Sequence, residues 1–177
     1  MKRATVTFPS DESYSNIDLQ GYILFTQFSK LSPVSVEVKL SGLSRGNHGF
    51  HVHEKGIPKR TKTIDCKILG GHFNPYSVNH GSYSLNTIRH VGDLINNLNV
   101  NSNGTVNIYF IDNLISLYPG KNSIIDRSVV IHKDKDDEGI PGLLALQSGK
   151  KLNKKEIESL KSGNAGNRIA CGNIKLI

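Results

Sequence analysis

Imidazole is the common protein ligand for zinc and copper, and a carboxylate often completes a zinc site. The chain holds seven histidines, His48, His51, His53, His72, His80, His90 and His132, all in or beside two stretches, 54–89 and 133–167, that do not read as strands. His51 and His53 stand two apart in an extended run, so their side chains project from one face, as two ligands of one metal must. His48 has the opposite parity, with Phe50 and Val52, and is expected to be structural, hydrogen-bonding across the base of the loop. His90 and Asp93 form an i, i+3 pair in Arg89–His90–Val91–Gly92–Asp93. His72 and His80, eight apart with Asn74–Pro75 turning the chain between them, supply that pair with partners. His132 ends a strand and opens the second long stretch, where it can complete the His51 and His53 site. Two adjacent metal sites follow from these spacings.

The elements that must hold these residues are strands. The run 34–40 alternates apolar and polar residues without a break, and 4–8, 19–26, 49–53, 105–111, 128–132 and 168–177 read alike, with Gly, Asn and Ser turns between several of them. Many short strands with almost no helical periodicity predict a β-sandwich or barrel. One short helix is expected over 153–162: Asn153 caps it, Glu156 sits at its third position, Ile157 and Leu160 share a face, and Gly163 ends it. The stretches 54–89 and 133–167 exceed what a compact domain carries as idle connection, and the histidines mark them as functional.

A length of 177 residues fits one domain spanning 1–177 and excludes two large ones. No stretch approaches the roughly 18 apolar residues of a membrane-spanning helix, so no membrane partner is expected. The amino terminus lacks an apolar run after its basic residues, which points to an intracellular, cytoplasmic site. Heavy use of Asn, Ile and Lys is compatible with a parasite or a large DNA virus, in which case the site of action is the host cytoplasm. The net charge of +7 favours an anionic partner. The basic residues are nevertheless dispersed, dense only at Lys59–Arg60–Lys62 and at Lys150, Lys151, Lys154 and Lys155, without interleaved aromatics, so nucleic acid is not expected. Cys66 and Cys171 are too far apart for a metal knuckle and too few for a disulfide scaffold, leaving one long-range bridge or two thiols.

The motifs GNHGFHVHE (46–54), GHFNP (71–75), HG (80–81), RHVGDL (89–94), VVIH (129–132), DDEG (136–139) and GNAGNRIACG (163–172) occur in one order along nearly the whole chain. Together they make the sequence resemble the copper/zinc superoxide dismutase family. The resemblance implies an all-β, Greek-key barrel or sandwich of eight strands, immunoglobulin-like, with two long functional loops and a short helix in the second. It also implies one copper per subunit on His51, His53, His72 and His132, and one zinc on His72, His80, His90 and Asp93, with His72 shared. Asp136 resembles the aspartate that accepts from the outer nitrogens of His51 and His80, against the plainer reading of a solvated loop carboxylate. Cys66 and Cys171 match the family's disulfide within one subunit.

The activity implied is conversion of superoxide to dioxygen and hydrogen peroxide by a copper(II)/copper(I) cycle, with zinc as structural and electrostatic partner. Arg168 would dock the anion, and His72 would take up and deliver a proton. The competing reading is a catalytically inactive relative, a copper-delivery module or a decoy; a β-sandwich adhesion module would leave six coincident histidine ligands unexplained. A homodimer is implied as well. The chain departs from the family in an insertion of about a dozen residues between Gly142 and Glu156. Lys161 remains as a candidate for anion guidance, while Lys150, Lys151, Lys154 and Lys155 either compensate for missing guidance residues or form a solvated face. Asn167 and Ile169 flank Arg168 where proline would go with dependence on a copper chaperone, so loading without a dedicated chaperone is expected.

Overall fold

Alternation along the strand β4 (Val34–Ser41) buries Val34, Val36, Val38 and Leu40 on one face. In a computed structural model, which describes residues 1–59, 64–85 and 88–177, that face is one wall of a two-sheet sandwich. The first sheet has the order β10-β1-β3-β4-β7, built from β1 (Lys2–Phe8), β3 (Gln20–Gln27), β4, β7 (Thr105–Asp112) and β10 (Lys175–Leu176). The second runs β2-β9-β8-β5-β6, from β2 (Ser13–Ser15), β5 (Gly46–His53), β6 (Asn96–Val100), β8 (Ser128–His132) and β9 (Arg168–Asn173). The pairings within both sheets are antiparallel. Chain neighbours β4 and β5 lie in different sheets, as do β7 and β8, which are the crossings a Greek-key sandwich needs. Between the sheets Ile23, Phe25 and Val36 pack with Phe50, Val52, Leu98, Val129, Ile131 and Ala170. Each of these side chains other than Ala170 contributes on the order of 1.5–3 kcal/mol by leaving water.

The all-β class is as expected, and among the described residues ten strands are present, two of them of two or three residues, where eight were implied. β2 has three residues, too few to show a period. β6 reads Asn-Asn-Leu-Asn-Val, and its polarity hid it: Asn96 donates to the Gly81 carbonyl and Asn97 to that of Asp136, so these side chains serve the loops. The run 168–177 divides because the Ile174 N–H turns to the Arg127 carbonyl.

The helix expected over 153–162 is α2 (Lys154–Ser162), with the Asn153 side chain accepting from the Lys155 and Glu156 N–H groups and Glu156 accepting in return from the Asn153 N–H. A second helix, α1 (Ile140–Gln147), lies within the stretch expected to be loop. Its sequence, IPGLLALQ, has no polar face and contains both Pro and Gly, so no helical period shows. Pro141 is tolerated in the first turn, and Gly142 lets α1 approach α2 closely: a Cβ there would lie 2.4 Å from Leu160 Cγ. Of the basic cluster Lys59–Arg60–Lys62, Arg60 and Lys62 lie outside the described residues.

Candidate metal centre

β5 delivers His51 and His53 as parity requires, opposite Val130 and Ser128 of β8. The β8–β9 register shifts between Ile131 and His132, which sets His132 against Arg168 and re-aims it at the end of the strand. Beyond β5 the backbone of the first loop pairs as if it were a further strand: Phe73 N–H donates to the Val52 carbonyl and Val52 N–H to that of Gly92. This fastens His72 beside His53. The His90–Asp93 turn closes through the His90 N–H on the Asp93 carboxylate at 2.9 Å. Gly92 has no substitute there, because a Cβ would fall 2.2 Å from the Val52 carbonyl oxygen.

The result is two buried quartets whose ligand atoms lie within 4.8 Å of one another: His51, His53, His72 and His132, and His72, His80, His90 and Asp93. His72 belongs to both. Apart from the shared His72, each ring has one nitrogen engaged on the outside and one turned inward. The outer partners are the Asp136 carboxylate for His51 Nε2 (2.5 Å) and His80 Nε2 (2.9 Å), and the carbonyls of Gly70, Gly166 and Val78 for His53 Nδ1, His132 Nδ1 and His90 Nε2. Such outer bonds set the tautomer and aim the free lone pair. On the inside, His51 Nδ1 and His72 Nε2 are buried with no hydrogen-bond partner, and His80 Nδ1 has Asp93 Oδ2 at 2.9 Å without an aligned bond. His53 Nε2 and His132 Nε2 converge to 3.4 Å, while His72 Nδ1 reaches Asp93 Oδ1 at 2.8 Å. Orphaned buried nitrogens are costly unless something occupies the centre they face. Four imidazoles in one quartet, and three with a carboxylate in the other, are donor sets that fit copper and zinc.

The protonation equilibria point the same way. Burial, reinforced by neighbouring imidazoles, holds His51 and His53 well below the ordinary histidine range and lowers His72. Burial likewise pushes His132 down to about 4. These rings are neutral at physiological pH, the form that binds a metal. His80 is the exception, because its burial is outweighed by Asp136 and Asp93 on either side, which lift it to about 10. Asp93, despite burial that would raise it, is held well below the carboxylate range by His72, His80 and His90.

Gly163, the αL residue that ends α2, presses on Asp136: a Cβ there would meet Asp136 Oδ1 at 2.1 Å. The second loop is thereby seated on the carboxylate that joins the two quartets. Asp136 is fully buried and is not a solvated loop residue. His48, outside both quartets, spans the carbonyls of His132 and Ser44 at 2.9 Å each, the structural role expected of it.

Above the first quartet a cavity of about 390 Å³ opens to solvent, lined by His53, His72, His132, Arg168, Lys161 and Lys67 among others. Arg168 is held by the Cys66 and Gly70 carbonyls, each at 2.6 Å, and more weakly by that of Lys67. Cys66 and Cys171 form a disulfide with Cα atoms 5.8 Å apart, so the short 3-10 helix Cys66–Leu69 that supplies two of those carbonyls is itself pinned to β9. Lys67 escaped the sequence reading: a lone lysine after a cysteine belongs to no pattern, and its relevance depends on Arg168 reaching back about a hundred residues. Lys150, Lys151, Lys154 and Lys155 are not among the residues lining this cavity.

Comparison with known proteins agrees with this architecture. The sequence profile of the family described as copper/zinc superoxide dismutase (SODC) matches residues 19–174. The extracellular superoxide dismutase [Cu-Zn] of Drosophila melanogaster is 42% identical over 157 residues, 89% of this chain and 76% of that protein. A superoxide dismutase [Cu-Zn] of Onchocerca volvulus is 43% identical over 154 residues, 87% of each. The crystal structure of the clock protein EA4 superposes with a TM-score of 0.76 at 36% identity, covering 99% of this chain and 94% of that one. The chain belongs to the copper/zinc superoxide dismutase family.

Proposed function

We propose that this protein dismutes superoxide, turning two superoxide anions and two protons into one dioxygen and one hydrogen peroxide. The proposal assigns one copper per chain to His51, His53, His72 and His132, and one zinc to His72, His80, His90 and Asp93. The observation that carries it is His72, whose unpartnered Nε2 faces the first quartet while its Nδ1 meets Asp93 in the second. Bound at these residues, copper would supply a one-electron redox couple and zinc a fixed positive charge.

The chain's own residues do the rest. Arg168 offers a fixed guanidinium over the first quartet, where a small anion docks between it and the rings of His53 and His132. Lys161 and Lys67 raise the anion's local concentration at the mouth of the cavity. When its Nε2 is not engaged by copper, His72 would hold a proton there and hand it to the departing peroxide. Asp136 keeps the His51 and His80 rings oriented throughout. An inactive relative, whether copper-delivery module or decoy, has no observation in its favour.

A single domain over 1–177, a homodimer, copper loading without a dedicated chaperone and a cytoplasmic place of work belong to the same proposal. Family habit supports the dimer, and Asn167 and Ile169 beside Arg168 support the chaperone-free loading. Against the cytoplasm stand the extracellular relatives in Drosophila melanogaster and Brugia pahangi and the disulfide, a bond that oxidising compartments favour.

The test is the second-order rate of superoxide decay with protein reconstituted with copper and zinc, alongside the metal content. A rate approaching the diffusional ceiling of about 10⁸–10⁹ M⁻¹s⁻¹ is expected. A rate no better than that of free copper, with both metals bound, would overturn the proposal.

A further inference from the structure

The hairpin of α1 and α2, which contains the stretch between Gly142 and Glu156, carries more than the dismutase reading uses. Its base is anchored: Asp137 N–H donates to the Gly163 carbonyl at 2.8 Å, and Ser159 Oγ to Asp137 at 2.8 Å. Its far end combines the last turn of α1, the connection 148–153 and the first turn of α2. There α1 turns Gly142 and Ala145 inward and leaves Leu144 and Leu146 60% and 47% exposed. The same end carries Lys150, Lys151, Lys154 and Lys155, all exposed and none in an ion pair among the described residues. The carboxylates nearby are occupied, Glu156 by the Asn153 N–H and Glu158 by the Ser162 hydroxyl at 2.5 Å. These lysines do not line the cavity over the first quartet, so they are not needed to hold an anion there.

We propose that this end of the hairpin is a docking surface for an anionic phospholipid bilayer. Exposed leucines beside unpaired ammonium groups match a partner with an apolar interior under a negatively charged rim, and a bilayer holding acidic headgroups is such a partner. A soluble polyanion would use the lysines and gain nothing from Leu144 and Leu146. The overall charge of +7 adds long-range attraction toward the same surface. Among the described residues no helix is long and apolar enough to cross a membrane, and the contact proposed is peripheral.

The test is co-sedimentation of the full-length, metal-loaded protein with vesicles of phosphatidylcholine alone and of an equimolar mixture with phosphatidylserine. Binding to the mixed vesicles only is expected. Changing Lys150, Lys151, Lys154 and Lys155 together to Gln lowers the partition coefficient by about a hundredfold or more. The double variant Leu144→Ser and Leu146→Ser lowers it by about tenfold or more. Circular dichroism identical to the parent shows that both variants are folded. Failure of the parent to bind the mixed vesicles at low salt overturns the proposal. So does a leucine variant that binds as well as the parent, which marks a contact with any polyanion, as does undiminished binding by the lysine variant, which moves the contact elsewhere.

Discussion

Asp136 holds two histidine rings at once, with one carboxylate oxygen for His51 Nε2 and the other for His80 Nε2. The Asn97 side chain accepts from its backbone N–H, so the residue cannot drift to favour either ring. Changing Asp136→Asn leaves one acceptor where two are needed, and one ring loses its orientation. Zinc affinity is expected to fall by about ten- to a hundredfold, read by competition with a chromophoric chelator; an unaltered affinity would mean that the quartets do not depend on this support. Asp136 was recognisable from its motif, as were the residues of the two quartets from parity and spacing. Lys67 was not, because a lone lysine belongs to no pattern and its place at the cavity depends on Arg168, about a hundred residues away, folding back over Cys66 and Gly70.

Besides β9 with Arg168, two elements bring cations to that cavity, the 3-10 helix Cys66–Leu69 with Lys67 and α2 with Lys161. Exposed charges act over about a Debye length, ~8–10 Å at moderate salt, so position counts for more than number. Changing Lys67 and Lys161 together to Gln should lower the superoxide decay rate several-fold at low ionic strength and flatten its dependence on salt. The quadruple Gln variant at Lys150, Lys151, Lys154 and Lys155 should keep the parent slope. Equal slopes for all three proteins would remove the two cavity lysines from the account. α2 was readable because its signals, Asn153, Glu156 and Gly163, are local. α1 was not, because its helical state depends on packing Gly142 and Ala145 against a partner helix.

For the whole molecule the buried histidines make stability depend on metal and on pH. In the metal-free protein His51, His53, His72 and His132 sit below the unfolded value of 6.5, His132 at about 4. The unfolded chain then binds more protons than the folded one, so their contribution is full above pH 6.5 and is lost as the pH falls toward 4. His80, raised to about 10, runs the other way: its contribution is full below 6.5 and fades as the pH rises through 10. Stability of the chelator-treated protein should therefore peak near pH 6.5, with a steep acid limb from four rings and a shallow alkaline limb from one. Urea unfolding across that range checks it, and a flat acid limb would show that the four rings are not held neutral by the fold.

The sequence by itself determined what near neighbours encode: period-two strands, the parity that pairs His51 with His53 and dismisses His48, the His90–Asp93 turn and the caps of α2. Each depends on backbone geometry over a few residues, which composition and spacing report directly. Its motifs, read in order, also carried the family. The tertiary structure alone decided which lysines border the cavity and which stand apart, that 140–147 is helical, and that the polar β6 closes the second sheet. Those outcomes rest on contacts between residues far apart in the chain, such as Arg168 on the Cys66 and Gly70 carbonyls or Gly142 against Leu160. A contact of that kind leaves no local period, because its energy is realised only after the two segments have met.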